Sequence, residues 1–295
     1  MLDGRFGQEM EQQRLSDDRM SALDASLAET ADGVEAAGDF AAGMGQEGKY
    51  VYCIIRHQAS RDFGDIGIGG SARVYTVHHA ELAAVVSDTP IVIYDPTREN
   101  VLAHEFVNET VMREFTVIPM SFGTVFRSEE DVGQLLRSTY EAFTDVLEKM
   151  KDKIEFGVQI RWDRDRVVES IEQDNDEIRK LKDEITRNAA SSTYFARMQL
   201  GRLIEGALEE CASRYVATVH EELKPVSVAS RSNKVIGDRM IMNAAFLVNR
   251  SAEKAFDEGV KELSRRYEHL LAFKYTGPWP PYNFVNIKLK LEKAN

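Results

Sequence analysis

The chain has 295 residues, 43% of them apolar, enough for one large core or two ordinary ones, and a formal net charge of −12. The first 48 residues hold 11 Asp/Glu against 3 Arg, a net of −8, so the remaining 38 acidic and 34 basic residues are close to balance. This leaves no basic footprint for nucleic acid, and no window approaches the ~20 consecutive apolar residues of a membrane span.

Residues 1–48 are rich in Gly, Ala, Asp, Glu and Gln and read as an acidic flexible tail that buries too little to order itself. They show neither the basic start nor the apolar stretch of a signal peptide. Cys53 and Cys211 lie in apolar or helical surroundings and read as buried free thiols, so the expected compartment is the cytoplasm.

A first α+β domain is expected over 49–152. Tyr50-Val51-Tyr52-Cys53-Ile54-Ile55 is β-branched and aromatic, a buried strand. The loop from Gly64 to Gly70 resembles a phosphate cradle only superficially, because it runs into the strand-like Ala72 to Val77 and not into a helix N-terminus. Leu82 to Val86 is too short for periodicity to separate helix from strand, and Ser87-Asp88-Thr89-Pro90 reads as a turn.

A helix is predicted from the N-cap Thr97 through Phe115, with Leu102 and Phe106 beside the stripe Ala103, Val107, Val111 and Phe115. Its His104-Glu105 pair lacks the second histidine of a zinc motif, since Asn108 stands there. Pro119 then confines its apolar stretch, Val117 to Phe126, to a sheet edge or a bend. One core helix is expected from the cap Ser128 to Met150.

The second domain is expected over 153–295. Phe156, Val158, Ile160 and Trp162 alternate as a strand. Two helices over about 164–223, turning at 188–192, predict an antiparallel hairpin, either a solvated arm or a docking arm; Gly201 and Gly206 suggest close helix approach along it. A short strand from Pro225 to Ala229, a central strand from Met240 to Val248, a helix capped by Ser251 and a strand from Leu271 to Tyr275 complete a β-α-β-β-α-β order. That order is the ferredoxin-like pattern, with its first helix expanded into the hairpin.

The chain closes on Gly277-Pro278-Trp279-Pro280-Pro281-Tyr282-Asn283-Phe284-Val285. Three prolines in four positions fix φ and remove amide donors, which predicts a stiff extended ribbon near polyproline II. Such a ribbon either covers the protein's own sheet edge or core, or offers Trp279, Tyr282 and Phe284 to a partner. Neither a nucleophile beside a base, nor a Walker loop, nor a dinucleotide fingerprint, nor a metal-ligand spacing among the six histidines is found, so no catalytic residue, cofactor or metal is expected.

GPWPPYNFV, Tyr50 to Ile55 and the Pro119-Met120-Ser121-Phe122-Gly123-Thr124 segment together resemble the gas vesicle protein L/F family over roughly 49–295. The resemblance implies a non-enzymatic accessory or minor shell-associated protein of gas vesicle assembly, in the cytoplasm or at the vesicle. Its implied partners are the small hydrophobic wall protein and other gas vesicle proteins, with no small-molecule substrate. Candidate partner-binding residues are Phe122, Trp279, Pro280, Pro281, Tyr282 and Phe284. The alternatives are a pure scaffold bridging accessory proteins, and a small-molecule enzyme using His57 with the loop from Gly64 to Gly70.

Overall fold

The computed structural model describes residues 47–187 and 194–285; the predicted acidic tail lies outside them except for its last two residues. The described chain is mixed α and β and divides into two compact units.

The first unit runs up to Glu155 and takes back the chain from Thr276 onward. Its central strand, Glu47–Arg56 (β1), is buried along nearly its whole length, as its aromatic and β-branched composition demands. Asp62–Gly64 (β2), Val74–His79 (β3) and Leu82–Pro90 (β4) lie on one side of it. The helix Arg98–Met112 (α1) follows, then Val117–Pro119 (β5) and Val125–Phe126 (β6). The sheet order is β2-β3-β4-β1-β5, with β6 also pairing β1. β1 and β4 pair antiparallel from Glu47 opposite Pro90 to Arg56 opposite Leu82, with a bulge between Val51 and Cys53.

Glu129–Ser138 (α2) and Tyr140–Met150 (α3) cover one face of this sheet. Their Val132, Leu135, Leu136, Phe143 and Leu147 close a core with Val51, Ile54, Val86, Ile118 and Met120. α1 packs on the other face, where its His104 meets Tyr50.

Two local expectations fail here. Ser87 to Pro90 is not a turn but the continuation of β4, because its ladder partners are 47–50 and the fully buried Ser87 hydroxyl bonds the Tyr52 hydroxyl at 2.8 Å. The single helix expected from Ser128 breaks at Thr139, since the Ser138 and Thr139 hydroxyls both turn back to the Leu135 carbonyl. Its start is as expected, the Ser128 hydroxyl accepting from the Asp131 amide at 3.2 Å.

The second unit spans Phe156–Tyr275. Its elements are Lys153–Trp162 (β7), Arg164–Asp174 (α4), Asp176–Arg187 (α5), Tyr194–Leu223 (α6), Ala229–Ser232 (β8), Met240–Asn249 (β9), Glu253–Arg266 (α7) and Leu271–Trp279 (β10). The strand order is β10-β7-β9-β8, which puts the two most apolar strands in the middle. Phe156, Phe246 and Phe256 pack between β7, β9 and α7, Phe256 stacked on Phe156 at 5.4 Å and tilted against Phe246 at 5.3 Å.

The helix predicted from Arg164 breaks at Asn175, whose Oδ1 caps α5 by accepting the Glu177 and Ile178 amides at 3.0 and 3.2 Å. Among the described residues a side chain added at Gly201 or Gly206 would meet nothing within 4 Å, so they show no close helix approach there; it occurs instead at Gly259 of α7, against Leu223. Pro225 belongs to a 3₁₀ turn, Lys224–Val226, ahead of β8. Ser251 likewise sits in a 3₁₀ turn, Arg250–Ala252, and α7 begins without a side-chain cap.

Candidate functional site

The proline-rich stretch does two things in succession. Through Trp279 it is the last part of β10, an end strand of its sheet, where Pro278 removes no ladder donor that the centre of a sheet would need. From Pro280 it folds into a tight turn and not the extended ribbon expected. The Phe284 and Val285 amides both return to the Pro281 carbonyl, at 3.0 and 3.1 Å, and the Tyr282 amide to that of Pro280 at 2.8 Å. Pro280 and Pro281 are buried, while Trp279, Tyr282 and Phe284 are half-buried. The sequence placed this stretch with the second domain; in the structure it belongs to the first unit.

What fixes the turn is polar. The Tyr282 hydroxyl donates to Glu105 Oε1 at 2.8 Å and accepts from the Asn108 side-chain amide at 3.1 Å. One residue on, Asn283 donates its backbone N–H and its side-chain amide to the two oxygens of the buried Glu155, at 2.8 and 2.6 Å. Val285 then packs against the core on the α2 and α3 side of the sheet. Within a few residues the turn therefore touches α1, the start of β7 and the opposite core.

Glu105 and Asn108 lie on α1, which starts on its expected cap, the Thr97 hydroxyl accepting from the Asn100 amide at 3.3 Å. The buried face differs from the predicted apolar stripe. Phe106 is 46% exposed and Ala103 only half-buried, whereas His104, Glu105 and Asn108 lie inside with Val101, Val107 and Val111. This is sustainable because tyrosine hydroxyls meet them: buried polar groups are tolerated when they find partners and cost roughly 1–3 kcal/mol each when they do not. His104 Nδ1 lies 3.0 Å from the Tyr50 hydroxyl, and its Nε2 lies 3.0 Å from the Asn108 amide. The Tyr50 hydroxyl in turn accepts the Gly123 N–H at 2.9 Å.

The network thus runs from the loop carrying Phe122 through Tyr50, His104 and Asn108 to Tyr282. The Phe122 ring stands edge-on to His104 and Tyr50, with centroids 5.8 and 6.4 Å apart. Burial holds the His104 imidazole at a pKa of about 4, a backbone hydrogen bond to Met120 opposing only part of the shift. The ring is neutral at neutral pH, able to donate from one nitrogen and accept at the other. Burial, and next the Glu105 carboxyl, push the Tyr282 phenol well above its ordinary range, so it remains a donor. Burial likewise raises Tyr50.

The arrangement joins segments distant in the chain through buried side chains. Among the described residues no cluster of three or more His, Cys, Asp or Glu could hold a metal ion. His57 packs its ring on Phe115 at 5.1 Å, and the loop after β2 is tied elsewhere, Ile68 donating to the Tyr52 hydroxyl at 2.7 Å. Gly67 is required there, since any side chain would strike the Ala72 carbonyl and that same hydroxyl. Among the described residues no hydrogen bond or ring contact joins His57 to this loop.

Of the predicted site residues, Phe122 and Tyr282 are brought to one network. Tyr50, His104, Glu105, Asn108, Asn283 and Glu155 are the members that sequence reasoning passed over. A signal existed: His104 and Asn108 sit one turn apart among the apolar Val101, Val107 and Val111, a position where a polar residue needs a buried partner.

Two sheets with their helices, and a C-terminal turn latched into the first, define a mixed α and β protein of the same architecture as solved gas vesicle proteins. The crystal structure of GvpF from Anabaena sp. PCC7120 superposes with a TM-score of 0.74 at 25% identity, over 82% of this chain and 99% of that one. GvpF from Microcystis aeruginosa, at 22% identity and a TM-score of 0.68, shares the fold. The chain belongs to the gas vesicle synthesis protein GvpL/GvpF family, whose model matches residues 48–286. Among its relatives, gas vesicle protein F1 of Halobacterium salinarum is 30% identical over 84% of this chain and 97% of its own length. Gas vesicle protein L1 of the same organism is 24% identical over 81% and 90%.

Proposed function

We propose that this chain acts in gas vesicle assembly as a non-enzymatic accessory or minor shell-associated protein that binds the hydrophobic wall protein, other gas vesicle proteins, or both. Family membership supports the process, and the relatives named above are called gas vesicle proteins F1 and L1. Among the described residues no helix is long and apolar enough to cross a membrane. We read the second unit as ferredoxin-like, a reading supported by the order β10-β7-β9-β8, the fourth, first, third and second strands of that unit.

The observation that carries the proposal is the latch. Tyr282 and Asn283 are pinned by buried partners, so the half-exposed Trp279 and Phe284 beside them are held in place, as Phe122 is by His104 and Tyr50. Aromatic surface fixed in advance loses little entropy on binding, which suits recognition of a partner whose own surface is apolar before assembly.

The test is recovery of the wall protein with the tagged chain from cells making gas vesicles. Wild type is expected to retain it, and Trp279→Ala and Phe122→Ala to lose it while keeping the wild-type circular dichroism spectrum. Recovery of accessory proteins alone would replace wall binding by a bridging role. Undiminished recovery by both variants would move the binding surface elsewhere.

A further inference from the structure

Among the described residues the exposed large apolar side chains of the second unit fall in two groups, one at the start of α6 and one around β8. The second group flanks a sheet edge. β8 is an end strand that pairs with β9, and all four of its residues are exposed. Its register leaves main-chain groups facing outward. The Asn233 amide bonds the Asn243 carbonyl at 2.7 Å, and hydrogen-bonded pairs alternate along an antiparallel ladder. Ala229 and Arg231 therefore bond β9, while the N–H and C=O of Ser230 and Ser232 point away from it.

Apolar side chains bracket this edge: Val228, Val235 and Ile236 are 48%, 45% and 60% exposed. Their backbone is held. The Val228 amide donates to the Leu247 carbonyl at 2.7 Å, and the Lys234 carbonyl accepts from the Asn243 side-chain amide at 3.0 Å. Further on, the Asp238 and Arg239 carbonyls accept from the Trp162 indole and backbone N–H, at 3.1 and 2.9 Å. A surface fixed in this way loses little entropy when a partner seats on it.

The charge here is opposite in sign to that of the chain. Residues 228–239 carry Arg231, Lys234 and Arg239 against Asp238, all exposed, and Lys234 and Arg239 form no ion pair among the described residues. Basic side chains guard an edge against pairing with its own kind. Two copies of β8 would set basic strand against basic strand, whereas an acidic strand is attracted.

We propose that β8 is a docking edge for an extended segment of a partner protein in which apolar and acidic side chains alternate. The segment's backbone pairs with the outward groups of Ser230 and Ser232, its apolar side chains lie on Val228, Val235 and Ile236, and its carboxylates face Arg231 and Lys234. In such strand addition main-chain hydrogen bonds supply affinity and the alternate side chains supply specificity. The surface includes none of the latch residues.

Fluorescence anisotropy of a short labelled peptide, valine alternating with aspartate or glutamate, titrated with the full chain tests this. Saturable binding is expected. N-methylation of the peptide amides, Ser230→Pro, whose lost N–H belongs to no ladder bond, and Val235→Ser/Ile236→Ser each weaken it at least about tenfold, equivalent to about 1.4 kcal/mol. Arg231→Glu/Lys234→Glu reverses the preference, taking instead the peptide with lysine at the acidic positions. These are exposed positions, and the variants keep the wild-type circular dichroism spectrum. Absence of binding by wild type, equal binding of the N-methylated peptide, or wild-type affinity in Ser230→Pro overturns the proposal. A concentration-dependent dimer that Ser230→Pro abolishes overturns it too, by assigning the edge to a second copy.

Discussion

Tyr282 shows how much one hydroxyl can organise. It meets Glu105 Oε1 and the Asn108 side-chain amide at once, so Tyr282→Phe removes a donor and an acceptor while leaving the ring in place. The expected loss is about 1–3 kcal/mol of stability, read from the denaturant midpoint; an unchanged midpoint would mean that water replaces the hydroxyl without cost. His104 gives the network a pH dependence. An exposed imidazole takes its proton near pH 6.5, the buried one only near 4. Between these values the unfolded chain binds more protons than the folded one. The stability contributed by neutral His104 is therefore complete above about pH 6.5 and is lost as pH falls toward 4, on the order of 3 kcal/mol in all. His104→Gln is expected to flatten the stability curve in that window relative to wild type, and parallel curves would remove His104 as its source.

At the scale of elements, the strands and most helices were legible because hydrophobic period and caps act locally. Thr97 and Ser128 cap where their side chains suggest, and β1 and β9 are central because they are apolar on both faces. The errors share a cause: a side chain with a distant or competing partner. Ser87 extends a strand because Tyr52 waits for it, and Thr139 ends a helix by bonding its own backbone. Asn175 divides a helix by capping the next, and Asn175→Ala is expected to cost about 1 kcal/mol in thermal or denaturant unfolding. Gly206→Ala should raise stability by roughly 0.5–1 kcal/mol, since the position is helical and open space surrounds it. A loss at that position would reveal a neighbour.

For the whole molecule the latch matters most, because the last described residues complete the first unit. Ending the chain after Trp279 would strip Glu105, Asn108 and Glu155 of the partners that Tyr282 and Asn283 provide, and would uncover the core that Val285 packs against. A buried polar group without its partner costs about 1–3 kcal/mol, so this truncation should lower the denaturant midpoint by more than Tyr282→Phe does. A midpoint equal to that of wild type would show the turn to be dispensable. The sequence by itself determined the inventory: the apolar strands, the helix caps, the acid-rich start, and three stretches whose likeness to one family is specific. Each depends on chemistry within a few neighbouring residues. Only tertiary structure decided that those three stretches converge on α1, that His104 and Asn108 turn inward, and that the proline-rich end becomes a turn and not a ribbon. Hydrogen bonds between residues 54 to 177 positions apart set those outcomes, and such partners leave no periodicity in the sequence from which to read them.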